Sequence, residues 1–243
     1  AGQDGAWWMA VNHVLLKEFY VERQVPYFVE YLKKYTDTPF LIEINTGEAA
    51  GNTRPGRYLR ANRVQPYRET ENGDWKLLVW DKDSARPRMP QGTIGFRWAP
   101  KEPGKWNLEM RDPLNGEDLN PELTFADAYD EMVAVEFDDF AEGKNLRRGV
   151  PVRYVETEQG RVKVTTVFDL LMAQFGVPRG LPGDTDHDYN EDVPYTPAWQ
   201  EKYTGIHRDT LLRIARELGE RADNRLAKNL ITVAAGVTHW CQN

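Results

Sequence analysis

The side chains with most scope for chemistry in this sequence are four histidines, one serine and one cysteine, and their placement excludes several reactions. His13, His187, His207 and His239 fall into no HExxH or other close metal-binding spacing. His187 sits among acidic residues in "GDTDHDYNED". A calcium loop needs alternating oxygen ligands, a glycine turn and a closing glutamate, and this spacing does not supply them. The ordinary reading there is an exposed acidic connector. Ser84 lies in a charged stretch and not in a GxSxG turn, so no serine nucleophile is indicated. Cys241 is alone, which rules out an intramolecular disulfide or a cysteine-held cluster within the chain. Neither GxGxxG nor a Walker glycine loop occurs. The 38 carboxylates give too many chance pairs for a general acid and base to be chosen. No catalytic residue and no metal ligand are assigned.

Two stretches keep a ligand-binding reading. Asp4, preceded by Gln3, stands immediately before a hydrophobic helix. It is expected to be the N-cap of that helix. Its sharper role is a carboxylate that accepts hydrogen bonds from a ligand, beside the N–H donors of the helix start. Asn12 and His13 interrupt the same apolar helix. Buried polar groups need partners, so bonding to a neighbouring loop is their ordinary role and cofactor contact the alternative. The second stretch is "AAGVTHW", which puts Gly236, Thr238, His239 and Trp240 at the end of an apolar strand. Ligands bind at such strand ends in open α/β sheets.

The elements that must position these residues follow from pattern. Trp8, Val11, Leu15 and Phe19 keep nearly helical spacing, with Trp7, Val14 and Leu16 apolar beside them, which predicts a sandwiched helix. A second helix is expected over Pro26–Tyr35, with proline in its first turn, and a strand over Pro39–Ile44. From Asn45 to about Ala128, glycine, proline and charge dominate. "NTGEAAGNTRPGR", "TENGD" and "DPLNGED" signal turns or loops, while "WKLLVWD" and "TIGFRW" suggest short strands. "MVAVEF", "VPVRYVET" and "RVKVTTVF" are strand candidates, the last two joined by a hairpin at "TEQG". A helix over Val167–Phe175 should end at Gly176, and a short one over Pro197–Tyr203 should be capped by Thr196. "HRDTLLRIARELGERA" is the clearest helix, with Leu211, Leu212, Ile214, Ala215 and Leu218 on its packed side. "NLITVAAG" is the last strand expected. The pattern is mixed α/β.

Composition supports a folded domain: 40% of the residues are hydrophobic and 12% aromatic, in a chain of 243. A net charge of −7 argues against non-specific nucleic-acid binding, and no apolar run is long enough to span a membrane.

Taken in order, "GQDGAWWMAVNHVLLKEFYVERQVPYFVEYLKKYTDTPFLIEI", "GTIGFRWAPKEPGKWNLEMRDPLNGE", "VKVTTVFDLLMAQFGVPRGL", "DVPYTPAWQEKYTGIHRDTLLRIARE" and "ITVAAGVTHW" carry a resemblance. The chain resembles the catalytic α subunit of respiratory, membrane-bound nitrate reductases. Nitrite oxidoreductases share this architecture, and both fall within the dimethyl sulfoxide reductase class of molybdenum enzymes. The resemblance implies an interior segment of a molybdopterin-oxidoreductase subunit. Residues 1–44 would begin the cofactor-binding α/β region, 45–165 would be an elaboration with short strands and long loops, and 166–243 would return to the α/β region.

The resemblance also implies a cofactor, molybdenum bis(molybdopterin guanine dinucleotide), with an iron–sulfur cluster held by a part of the subunit preceding this chain. Residues Gly2 to Asp4 match the family's Gly-Thr-Asp, whose aspartate helps hold the guanine end of one pterin; Gln3 replaces the threonine. Residues Ala235 to Trp240 match an Ala-Gly-x-Asn-His-Trp loop beside the cofactor; Thr238 replaces the asparagine and loses the amide's paired donor and acceptor. "TPAW" is a common element of the class and is expected to be scaffold. The implied activity is two-electron oxygen-atom transfer reducing nitrate to nitrite. Its alternatives are nitrite oxidation and a non-catalytic structural or binding domain derived from such a subunit. The implied partners are an iron–sulfur β subunit and a haem-containing anchoring subunit, in a membrane-associated complex on the cytoplasmic or periplasmic face. The 243-residue chain by itself is expected to be inactive.

Overall fold

The computed structural model describes residues 3–46, 53–91, 110–140, 145–182, 184 and 186–223. The expected strands at "TIGFRW" and "NLITVAAG" lie outside the described residues. The chain divides into two compact units, one built from residues 1–28, 138–146 and 172–243, the other from 29–137 and 147–171.

The first unit is helical. Helix α1 (Asp4–Leu15) buries Ala6, Ala10, Val11, His13 and Val14. Trp7, Trp8 and Leu15 are partly buried as well, so little of its circumference is left polar. The helix does not stop at Leu15 but widens into a π-helical segment, Leu16–Glu22. The sequence predicted one uninterrupted α-helical pattern here. The π turn instead carries Lys17 to the acidic connector, where it meets Asp186 at 2.8 Å, and buries Glu18 against a later helix. Such insertions are uncommon and serve specific side-chain placements.

Two helices from the C-terminal third complete this unit. Helix α4 (Pro197–Thr204) begins as local chemistry dictates: Thr196 accepts a hydrogen bond from the Trp199 backbone N–H, Pro197 occupies the first turn, and Gly205 ends the helix at φ 70°. Helix α5 (Arg208–Asp223) packs Leu211 and Ala215 against Ala10, Val11 and Val14 of α1. Leu212 and Leu218 flank that contact. Arg216 reaches back from α5 to grip the buried Glu18 carboxylate through Nε at 3.1 Å and Nη2 at 2.9 Å.

The second unit is built on a five-stranded sheet. Strands β1 (Leu41–Thr46), β2 (Thr53–Tyr58), β5 (Glu131–Asp138), β6 (Asn145–Thr157) and β7 (Gly160–Thr166) run in the order β2-β1-β7-β6-β5. The pairs β1/β2, β1/β7 and β6/β7 are antiparallel. Thr157 pairs with Gly160 across the predicted hairpin. A separate two-stranded ribbon joins β3 (Val79–Asp81) to β4 (Arg86–Arg88). Helix α2 (Pro26–Tyr35) precedes β1, and α3 (Val167–Gln174) follows β7.

Strand β2 corrects an expectation, because its "TRPGRY" lies largely in a stretch whose sequence signals turn or loop. It is an outer strand of the sheet, where Pro55 is tolerated, and its arginines face solvent, so no alternation of apolar residues announces it.

The glycine- and proline-rich stretch also holds a real core. Leu59, Ala61, Val64, Tyr67, Leu78, Trp80 and Met89 pack with Leu41, Phe125, Val155 and Val164. Inside it Arg88 bonds Asp112 at 2.8 Å and Glu117 at 2.9 Å, and Tyr67 donates its hydroxyl to Asp112. Arg153 lies 4.7 Å over the Trp80 ring and 4.4 Å over Phe125 while pairing with Glu122 at 2.8 Å.

Candidate functional site

The start of α1 is where the sequence placed its nearest candidates. Gln3, not Asp4, is the N-cap, and its side chain makes no capping bond. Its carbonyl accepts from the Trp7 N–H at 3.3 Å. Asp4 is therefore one residue inside the helix, which corrects the expected cap. In that position its negative charge complements the positive end of the helix without turning back to cap it. Both side chains are exposed.

Gly5 comes next, and it meets Phe140 directly. A Cβ added at Gly5 would lie 2.7 Å from Phe140 Cε2 and 3.2 Å from Cζ. The half-buried Phe140 ring belongs to an aromatic cluster. It stands edge-on to Trp199 at 5.6 Å and to Tyr203 at 6.0 Å between centroids. Tyr195 joins the cluster 4.8 Å from Trp199, and its hydroxyl accepts from the Phe140 backbone N–H at 3.2 Å. "TPAW" is thus buried scaffold whose Trp199 supports the ring beside the α1 start.

Asn12 and His13 lie elsewhere. They are more than two helical turns from Asp4, about 13 Å along the axis. His13 is buried, with Nδ1 2.7 Å from the Phe175 carbonyl and its ring edge-on to Tyr189 at 6.0 Å. The geometry accounts for His13 as a tie between α1 and the end of α3. Asn12 is half-buried. Gly236, Thr238, His239 and Trp240 lie outside the described residues.

Sequence patterns missed a second feature of this unit. A cavity of about 450 Å³ is bordered by Lys17 and Glu22 of the π segment and by Arg179, Leu181, Asp184 and Asp186 of the connector. Two of its carboxylates are already engaged. Asp184 accepts from the backbone N–H groups of Arg179 and Leu181 at 2.6 and 3.0 Å, and Asp186 holds Lys17. Beside it, the Tyr189 phenol is pushed far above its ordinary range by burial first, then by the Glu18 and Glu22 charges. Nothing in a linear pattern signals this, because the groups come from segments far apart in sequence. Among the described residues, no three His, Cys, Asp or Glu side chains are grouped to hold a metal ion.

The fit between the α1 start and a guanine base is a matter of donors and acceptors. Guanine presents N1–H and the exocyclic N2 amine side by side, both donors, and a carboxylate offers two acceptors. Asp4 is exposed, and among the described residues no group engages its carboxylate. The α1 start offers one exposed carboxylate beside first-turn N–H groups, a donor and acceptor set compatible with such an edge.

The chain is similar to known proteins along nearly its whole length. No family model matches the chain. The chain is 39% identical over 241 residues to the nitrate reductase alpha chain of Bacillus subtilis, a match covering 98% of this chain and 19% of that protein. It is 36% identical over 253 residues to the respiratory nitrate reductase 1 alpha chain of Escherichia coli, covering 98% and 20%. The nitrate reductase alpha subunit of Mycobacterium tuberculosis is 37% identical over 254 residues, covering 99% and 19%. The chain therefore spans about a fifth of the length of these relatives. Over nearly its whole length, the chain is homologous to one segment of the nitrate reductase alpha chains.

Proposed function

We propose that the complete protein is the catalytic subunit of a molybdenum oxidoreductase that reduces nitrate to nitrite, and that this chain contributes part of its cofactor-binding region. The observation that carries the reading is the match along 98% of the chain to relatives named nitrate reductase alpha chains. The cofactor proposed is molybdenum bis(molybdopterin guanine dinucleotide), working with an iron–sulfur cluster elsewhere in the protein. The proposed partners are an iron–sulfur subunit that delivers electrons and a haem-containing subunit that anchors the complex.

When bound, the cofactor supplies two-electron oxygen-atom transfer, so that nitrate, two protons and two electrons give nitrite and water. The residues of this chain bind and orient. Asp4 accepts hydrogen bonds from a guanine edge. Gln3 offers an amide in place of a hydroxyl. Gly236, Thr238, His239 and Trp240 are proposed to border the same cofactor, with Thr238 donating a single hydrogen bond. His13 anchors α1 through the Phe175 carbonyl.

The test is nitrite formation from nitrate with a reduced viologen dye. The complete protein should turn over in a molybdenum-dependent way, and the 243-residue chain alone should not. Molybdenum-dependent turnover by the chain alone would contradict the assignment of the metal ligand to another part of the protein. A complete protein that oxidises nitrite but leaves nitrate untouched would replace the proposed direction with its reverse.

A further inference from the structure

We propose that Phe140 is a positioning residue for Asp4, and that Gly5 lacks a side chain because the Phe140 ring occupies the space one would need. This rests on the reading of Asp4 as the guanine-binding carboxylate and adds to it the device that holds that carboxylate in place.

Three observations carry the argument. First, the approach is too close for a methyl group: a Cβ on Gly5 would stand 2.7 Å from Phe140 Cε2, inside van der Waals contact. Second, the ring has little freedom to swing aside. Trp199 and Tyr203 stand against it, and the Phe140 backbone is held by the Tyr195 hydroxyl at 3.2 Å. Packed aromatic clusters give way by small rigid shifts. Third, Asp4 adjoins Gly5 in the chain, so the backbone that carries its side chain lies against the ring. A displacement of the α1 start by a few tenths of an ångström would shift two acceptor oxygens that must meet two donors at once.

The geometry makes a selective prediction. Adenine presents no N1–H and amine pair to a carboxylate, so a well-placed Asp4 should favour a guanine over an adenine nucleotide. Misplacing Asp4 should erode that preference, whereas a general loss of folding would lower the binding of both nucleotides together.

The experiment uses the complete protein prepared without its cofactor, with GMP and AMP as probes in equilibrium dialysis. The unsubstituted protein should prefer GMP. Gly5→Ala should reduce the preference about tenfold, the loss expected when a hydrogen bond to a charged group is misaligned. Phe140→Leu, which removes the ring atoms that a Gly5→Ala methyl would strike, should restore most of it in the double variant. Asp4→Asn should abolish the preference, and adding Gly5→Ala to Asp4→Asn should cost no more of it.

An unchanged preference in Gly5→Ala, or no recovery on adding Phe140→Leu, overturns the positioning role while leaving Asp4 as the guanine ligand. A preference that survives Asp4→Asn overturns the reading of Asp4 itself. No preference in the unsubstituted protein overturns both.

Discussion

At the scale of single residues, the second unit holds a buried ionic group. Arg88 and Asp112 are each nearly inaccessible, at 3% and 2% exposure. Glu117 and the Tyr67 hydroxyl complete their bonding. Removing the Asp112 charge leaves the buried Arg88 guanidinium with Glu117, whose side chain is 61% exposed, as its remaining carboxylate partner. Asp112→Asn should therefore cost about 1.5–3 kcal/mol in urea unfolding. Replacing Arg88 and Asp112 together by apolar residues should cost less than that single change. Tyr67 adds a pH dependence. Its phenol is pushed up to about 12 by burial first, then by its bond to Asp112. The folded state thus holds the proton more tightly than the unfolded chain. Its contribution is complete below pH 10 and disappears as pH rises through about 12. Alkaline unfolding curves should show this loss, and Tyr67→Phe should remove part of it. Burial and Asp37 also raise Tyr58 to about 12, so the variant should flatten the curve without abolishing its slope.

At the scale of elements, local chemistry decided how much the sequence could reveal. Helix α4 starts where a threonine–proline pair says it should. Thr196 Oγ1 accepts from the Trp199 N–H at 3.2 Å and donates to the Glu191 carbonyl at 2.6 Å. Thr196→Ala should cost about 1–2 kcal/mol in thermal or chemical unfolding, and Thr196→Ser should retain most of the stability. Helices α2 and α5 and the β6–β7 hairpin were legible for the same reason: their caps, periods and turn residues lie within a few positions of one another. Strand β2 was not legible, because its order comes from pairing with β1 and its own residues signal a turn. The core formed by Leu59, Val64, Tyr67 and Met89 was hidden because irregular backbone imposes no period on the residues it buries. At the candidate site, Asp4 could be named from its place before an apolar run, but its exact step relative to the cap could not. Phe140 could not be named at all, since only folding brings it to Gly5.

At the scale of the whole molecule, the path of the chain matters more than the number of elements. The second unit's residues fall between positions 29 and 171, apart from a stretch, 138–146, that belongs to the first unit. The principal core cluster lies entirely within 29–171. A protein comprising residues 29–171 should therefore unfold in urea as a single cooperative transition with a sheet-rich circular dichroism spectrum. A broad, featureless loss of signal would show that the sheet depends on the rest of the chain. Within the first unit, Phe140 of the stretch 138–146 lies against Gly5 of α1, and this has an evolutionary consequence. Surface loops ordinarily absorb gained or lost codons with little harm. Here the ring fills the space beside Gly5, so natural variants should keep glycine at that position wherever they keep an aromatic ring at Phe140, however freely the neighbouring turns lengthen and shrink.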